Sequence, residues 1–207
     1  MIGYYNYTVI LTYVSTISGF LGITYILNGN LKSALLCLIF SGFCDMFDGK
    51  IASTMKNRTS QEKRFGIQID SLSDVICFGV LPSLIVWFCS GGNLLYTAIS
   101  AVYLLCALIR LGWFNVDEEE RQTKEVGCRE GYRGLPVTTS ALGIPLFIGL
   151  GNLFSLELGK VYPWILLGIG IAFITPFNMK KPKLVGKIVM LLVGAVSFTV
   201  VLLGVKL

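Results

Sequence analysis

LKSALLCLIFSGFCDMFDGKIAST, residues 31–54, and IQIDSLSDVICFGVLPSLIVWFC, residues 67–89, are two apolar stretches joined by a basic connection, MKNRTSQEKRFG at 55–66. Each is long enough to cross a hydrocarbon core of roughly 30 Å, for which about 20 apolar residues in a helix suffice. Inside a bilayer every backbone N–H and C=O must find its partner within the segment, so the pair reads as a helical hairpin. Outward from it, similar stretches recur at Val9–Leu27, Leu94–Phe114, Leu135–Phe154, Val161–Phe177 and Leu184–Val205. The expectation is an all-α, polytopic integral membrane bundle of about 7 spans, in a range of roughly 6–8. It forms a single domain over residues 1–207. Composition agrees, because a chain that is 54% hydrophobic and 14% charged has too little polar surface to coat a water-soluble globule of this length. The start of the chain lacks the basic region and small-residue cleavage site of a secretory signal, so the first stretch is expected to be a retained anchor.

Orientation is read from the basic residues, which stay on the cytoplasmic side of span ends. Lys50, Lys56, Arg58, Lys63 and Arg64 form one group, Arg110, Arg121, Lys124, Arg129 and Arg133 a second, and Lys180, Lys181, Lys183 and Lys187 a third. Only Lys32, Lys160 and Lys206 fall in the intervening connections. Alternating spans put all three groups on one face, which predicts a cytoplasmic N-terminus and a site open to the cytoplasm. The net charge of +5 is thus an orientation signal; no basic and aromatic ribbon accompanies it, and nucleic acid is not an expected partner. Membrane lipids are. Histidine is absent, which excludes Ser-His-Asp and Cys-His triads and H-E-x-x-H metalloproteases. The six cysteines lack C-x-x-C spacing, and those in apolar stretches behave as small hydrophobes.

Of the five aspartates, Asp45, Asp48, Asp70 and Asp74 lie in or beside the hairpin. Each costs about 2.5–3.5 kcal/mol near the centre of a membrane helix. No matching set of buried bases accompanies them, and a divalent cation neutralises several carboxylates at once. Asp45 and Asp48 are three apart, and Asp70 and Asp74 four apart, so each pair projects from one helix face. If the connection turns near Thr59–Ser60, antiparallel pairing sets Asp45 level with Asp74 and Gly49 level with Asp70. Gly49, Ala52 and Gly66 lie along the same faces, where small residues admit either a neighbouring helix or a flat ligand.

Written as Asp45-x-x-Asp48-Gly49-x-x-Ala52-Ser53 and Gly66-x-x-x-Asp70-x-x-x-Asp74, the hairpin resembles the signature of the CDP-alcohol phosphatidyltransferase family, D-x-x-D-G-x-x-A-R followed by G-x-x-x-D-x-x-x-D. The one departure is Ser53, where the family usually has Arg; Lys50 or Lys56 is the candidate substitute for its phosphate contact. FGIQIDSLSDVICFGVLP at 65–82 resembles the pattern D-S-L-x-D followed by F-G-x-x-P of the phosphatidylserine synthase branch. IRLGWFNV at 109–116 and YRGLP at 132–136 resemble two further stretches of that branch.

The resemblance implies that Asp45, Asp48, Asp70 and Asp74 hold two divalent ions, Mg²⁺ or Mn²⁺, with Asp74 also the catalytic base. It implies a CDP-lipid site lined by Gly49, Ala52, Ser53, Gly66, Lys50 and Lys56. The lipid is CDP-diacylglycerol or CDP-archaeol, the acceptor L-serine, the products a phosphatidylserine-type lipid and CMP, and the assembly a homodimer. The residue types suit that chemistry, since transfer at phosphorus needs charge neutralisation, a held leaving group and a proton acceptor. Serine carries a carboxylate, for which Arg110 and Arg133 are candidate partners, although both also fit as orientation residues; Asn115 is a further polar candidate. The run Asp117–Glu120 is expected to be a solvated loop. Two alternatives stay open: the same family with glycerol phosphate or inositol phosphate as acceptor, and a membrane cation transporter whose acidic cluster is the ion site.

Overall fold

The computed structural model describes residues 2–124, 131–180 and 184–205; Cys128, Arg129, Lys181 and Lys183 lie outside the described residues. Helix α1 spans Tyr7–Leu27, α2 Leu31–Ala52, α3 Ser60–Asp74, α4 Leu81–Cys89, α5 Leu94–Lys124, α6 Ser140–Leu153, α7 Tyr162–Ile174 and α8 Leu184–Gly204. A π-helical segment, Val75–Val80, fuses α3 to α4 into one rod, Ser60–Cys89. The fold is an all-α bundle whose rods coincide with the apolar stretches read from the sequence.

Helices α1 and α5 and the fused rod are each long and apolar enough to cross a membrane. Shorter apolar helices lie at Val137–Leu153, Tyr162–Ile174 and Ile188–Gly204. Helix α2 has the length, at 22 residues, but any stretch of it long enough to span includes Asp45, Asp48 and a lysine. Its outward apolar residues, with Phe20, Leu105, Phe147, Trp164 and Leu203 elsewhere in the bundle, leave a broad apolar exterior. In a soluble protein such a surface is a liability, and in a bilayer it is the solvent-facing one.

Local signals explain the ends. Asn6 caps α1 by accepting from the Thr8 N–H. Thr59 opens α3 with a reciprocal capping box: its side chain accepts from the Glu62 N–H, and Glu62 accepts in return from the Thr59 N–H at 2.8 Å. Two orphan donors are thereby satisfied at the point where the sequence places the turn of the hairpin.

The first helix organises the bundle. It packs along α2 and also touches α3, the π-helical segment and α4. Close approach is secured by glycines, since a β-carbon on Gly19 would stand 2.7 Å from Cys77 Sγ and one on Gly22 2.7 Å from Leu81 Cδ2. Hydroxyls add polar cross-links, which hold helices together where apolar burial gives little drive. Ser15 and Ser41 each donate to the other's carbonyl, at 3.4 and 3.2 Å, and Ser18 donates to Cys37 O at 3.1 Å. Thr16 donates to Ser73 Oγ at 2.8 Å. Helices α2 and α3, by contrast, hardly meet backbone to backbone.

Two details depart from the expectation. The run Asp117–Glu120 is no loop, because α5 continues through it to Lys124. Arg121 grips Glu118 one turn back at 2.6 Å, and Arg64 of α3 reaches Glu119 at 3.8 Å. Glu119 and Glu120 are exposed while Asp117 and Glu118 are partly buried, the Glu118 carboxylate paired with Arg121, so charge alone did not distinguish a helix with paired acids from a solvated loop. A small antiparallel ribbon was also not foreseen: β1, Gly131–Arg133, pairs with β2, Asn178–Lys180. Its strands are three residues long, too short for a period-two pattern to register. The Arg64–Glu119 contact and the ribbon gather the ends of α3, α5 and α7, and with them Arg64, Arg121 and Arg133, at one end of the bundle. Lys32 sits at the other, donating to Leu202 O at 2.9 Å.

Gly42 of α2 faces α6, where a β-carbon would come within 2.6 Å of Ala141 Cβ, whereas Gly112 has nothing within 4 Å. Gly42→Leu is expected to destabilise the bundle by about 1–3 kcal/mol, read as a lower thermal midpoint in detergent. Gly112→Leu should leave that midpoint unchanged or slightly raised.

Candidate functional site

The gap that α1 maintains between α2 and α3 is filled by carboxylates. Oxygens of Asp45, Asp70 and Asp74 lie within 4.8 Å of one another. Across the gap Asp45 meets Asp74, and Asp48 meets Asp70, at hydrogen-bonding range. This is the level pairing that an antiparallel hairpin turning at Thr59 implies. Asp74 is buried and the other three half-buried.

The donor set fits a divalent cation. Oxygens on opposite sides of one such ion stand about 4–5 Å apart, which is the spread seen here. Like charges at this range repel unless a cation or a proton lies between them. Among the described residues no Lys or Arg lies within ion-pair distance of any of the four.

Above the acids, toward the connection, lies an open pocket of about 130 Å³. Asp48, Gly49 and Ala52 form its α2 wall, Gly66, Ile67 and Asp70 its α3 wall, Thr8, Val9 and Thr12 its α1 wall, and Arg58 closes it from the connection. Asp45 and Asp74 lie one turn deeper on their helices. A β-carbon on Gly49 would meet nothing within 4 Å, so this glycine is not there to let helices touch. At Gly66 the neighbour within that range among the described residues is Arg58 Nη2, at 3.3 Å.

The remaining candidates fall elsewhere. Ser53 caps α2, exposed, with its hydroxyl turned back on Lys50 O at 2.6 Å. Lys50 and Lys56 are exposed and do not line the pocket. Asn115 of α5 accepts from Ser71 Oγ at 2.7 Å and donates to Gln68 at 3.3 Å, which braces the face of α3 beside the acids. Arg110 is buried, donates from Nε to Leu135 O at 3.1 Å, and lies 5.5 Å from the Trp113 ring and 5.6 Å from that of Phe114. With Arg133 it lines a separate cavity of about 260 Å³ between α5 and the end of α7, which shares no lining residue with the aspartate pocket.

Thr8, Thr12 and Arg58 were not singled out from the sequence. The threonines carry a faint signal, two polar residues one helical turn apart at the start of an apolar stretch. Arg58 carries none, being one base among five.

A family model described as CDP-alcohol phosphatidyltransferase matches residues 5–176. A CDP-diacylglycerol–serine O-phosphatidyltransferase from Helicobacter pylori is 29% identical over 187 residues, covering 86% of this chain and 75% of that protein. An archaetidylserine synthase from Methanothermobacter thermautotrophicus is 27% identical over 178 residues, covering 86% and 70%. A CDP-diacylglycerol–serine O-phosphatidyltransferase from Methanocaldococcus jannaschii is 29% identical over 194 residues, covering 93% and 83%.

Gly→Ala in a helix ordinarily stabilises by about 0.5–1 kcal/mol, and Gly49 has room for the added methyl. Gly49→Ala is therefore expected to keep or raise the thermal midpoint while weakening ligand binding in the pocket. Unchanged binding would mean that no ligand approaches the backbone there.

Proposed function

Because this chain belongs to the CDP-alcohol phosphatidyltransferase family, we propose that it transfers the phosphatidyl group of a CDP-lipid to the hydroxyl of L-serine, releasing CMP. The observation that carries the reading is a cluster of carboxylates, Asp45, Asp70 and Asp74 with Asp48 beside them, at the base of a pocket that Asp48 and Asp70 line and whose α2 wall at Gly49 bears no side chain. Serine as acceptor is supported by the names of the similar proteins, which also leave room for either CDP-diacylglycerol or CDP-archaeol as donor.

Asp45, Asp48, Asp70 and Asp74 are the residues that would hold two divalent ions, Mg²⁺ or Mn²⁺. Bound there, such ions neutralise the non-bridging oxygens of the pyrophosphate and the charge that gathers on the leaving CMP. Gly49, Ala52 and Gly66 leave space for the cytidine and phosphates, while the lipid tails stay between helices and bilayer. Asp74, the most deeply placed of the four, accepts the proton of the serine hydroxyl as its oxygen attacks the lipid-bearing phosphorus. The new P–O bond forms as the bond to CMP breaks. Arg110 and Arg133 are kept as candidates for the serine carboxylate, which would then have to lie toward the separate cavity they line, with Asn115 positioning α3.

The basic end of the bundle supports a multi-pass topology with the pocket open to the cytoplasm, and the active assembly is taken to be a homodimer in the membrane.

In purified protein, CMP release from CDP-diacylglycerol or CDP-archaeol should depend on serine, stop on adding a chelator and return with Mg²⁺ or Mn²⁺. Preference for glycerol phosphate or inositol phosphate would overturn the acceptor; cation flux in liposomes without CMP release would overturn the enzyme. Asp70→Asn and Asp48→Asn are each expected to lower turnover at least about 100-fold, as losses of charge-stabilising groups at a reacting centre do, with normal membrane insertion. Full activity in either variant would remove the ion-holding role.

A further inference from the structure

We propose that Arg58 is the cationic ligand for the diphosphate of the nucleotide-bearing substrate, replacing from the connection what the end of α2 lacks at Ser53. The inference rests on the CDP-lipid reading and names a residue for it. Among the bases of the connection, Lys56, Lys63 and Arg64 are exposed, as is Lys50 at the end of α2, but Arg58 is half-buried and forms part of the pocket wall with Asp48 and Asp70.

Among the described residues the guanidinium is held by one corner. Nη1 donates to Ala52 O at 3.0 Å, a carbonyl that the end of α2 leaves without a helical partner. Nε and Nη2 make up the other edge. Nε is buried and finds no hydrogen-bond partner among the described residues, and Nη2 lies 3.3 Å from where a β-carbon on Gly66 would stand. Two parallel N–H groups on one edge match two oxygens of a phosphate. A buried donor left without a partner is costly, and a ligand oxygen supplies the missing acceptor.

The nearby carboxylates do not take that role. Glu62 accepts from Thr59 N–H at 2.8 Å and from Asn6 Nδ2 at 3.2 Å. No carboxylate of the described residues comes within ion-pair distance of Arg58. The capping box at Thr59 and the Ala52 contact fix the backbone on either side of the arginine, so its free edge is oriented before a ligand arrives. Ser53 is exposed, with its short side chain bonded back to Lys50 O, so the serine supplies nothing to the pocket. An anion lying between cations held on the aspartates and the guanidinium opposite meets positive charge from both sides.

The test compares wild type, Arg58→Ser, Arg58→Lys and the double variant Arg58→Ser/Ser53→Arg in lipid nanodiscs with Mn²⁺ present. Binding of CDP and of cytidine is measured for each by competition, together with the thermal midpoint. Arg58→Ser should weaken CDP by about 10- to 100-fold, the range for loss of a charge-assisted pair, with cytidine little changed. Arg58→Lys should recover only part of the loss, because an ammonium lacks the fork, and the double variant should recover most of it. Equal CDP binding in wild type and Arg58→Ser overturns the proposal. So does a parallel fall in CDP, cytidine and thermal midpoint, which would make Arg58 only the cap of α2. Wild-type protein that binds CDP yet makes no product with serine counts against the acceptor alone, and Arg58 is then still judged by the ratio of CDP to cytidine binding. Binding of neither CDP nor cytidine by the wild type overturns both readings.

Discussion

Four like charges held together in an apolar setting form the constraint to which the rest of the bundle answers. Asp45, Asp48, Asp70 and Asp74 meet across a gap between two helices whose backbones hardly meet. The attraction that ordinarily closes such a gap, side chain packed on side chain, is missing there. A third element has to set the distance. Helix α1 does this by lying against α2 through Ser15, Ser18 and Ser41 and against α3 and the π-helical segment through Thr16, Gly19 and Cys77. If α1 were farther away the carboxylates would part; if the glycines were larger it could not come so near.

The same arrangement separates stability from function along individual helices. On α2, Ala34, Leu35 and Leu38 are fully buried, whereas the last two turns carry acids and open toward the pocket. Gly42 is filled by a neighbour and Gly49 is not; two glycines on one helix thus have opposite meanings, one for packing and one for a ligand. The π-helical turn directly after Asp74 belongs to this division as well. A π-turn inserts a residue into the helical period and so rotates the faces on its N-terminal side relative to those on its C-terminal side. Here it lets the acid-bearing part of the rod and the core-packing part, with Phe78, Leu81 and Ile85 fully buried, each face what they need.

Arginines show how far a sequence reading of polar residues depends on context. Arg110, Arg133 and Arg58 all sit near ends of apolar stretches and all suit orientation in a membrane. In the fold Arg110 is tucked against the Leu135 carbonyl and two aromatic rings, Arg133 stands on the rim of another cavity, and Arg58 turns into the aspartate pocket. Nothing in their spacing distinguishes them. Each destination is set by where the chain returns after a loop.

What the sequence alone determined is local and periodic: apolar length set the rods, and the spacing of Asp45 with Asp48 and of Asp70 with Asp74 set their common faces, while a turn near Thr59–Ser60 entered only as the supposition that would level the two pairs. Those features arise within a few residues, because helical periodicity is short-range. Only the tertiary structure decided that α1 holds α2 and α3 apart, that Asp117–Glu120 stays helical, that Ser53 points away while Arg58 points in, and that Gly49 opens on empty space. Each depends on which distant surface comes to lie opposite, and contacts between residues far apart in the chain leave no mark on the spacing of either partner.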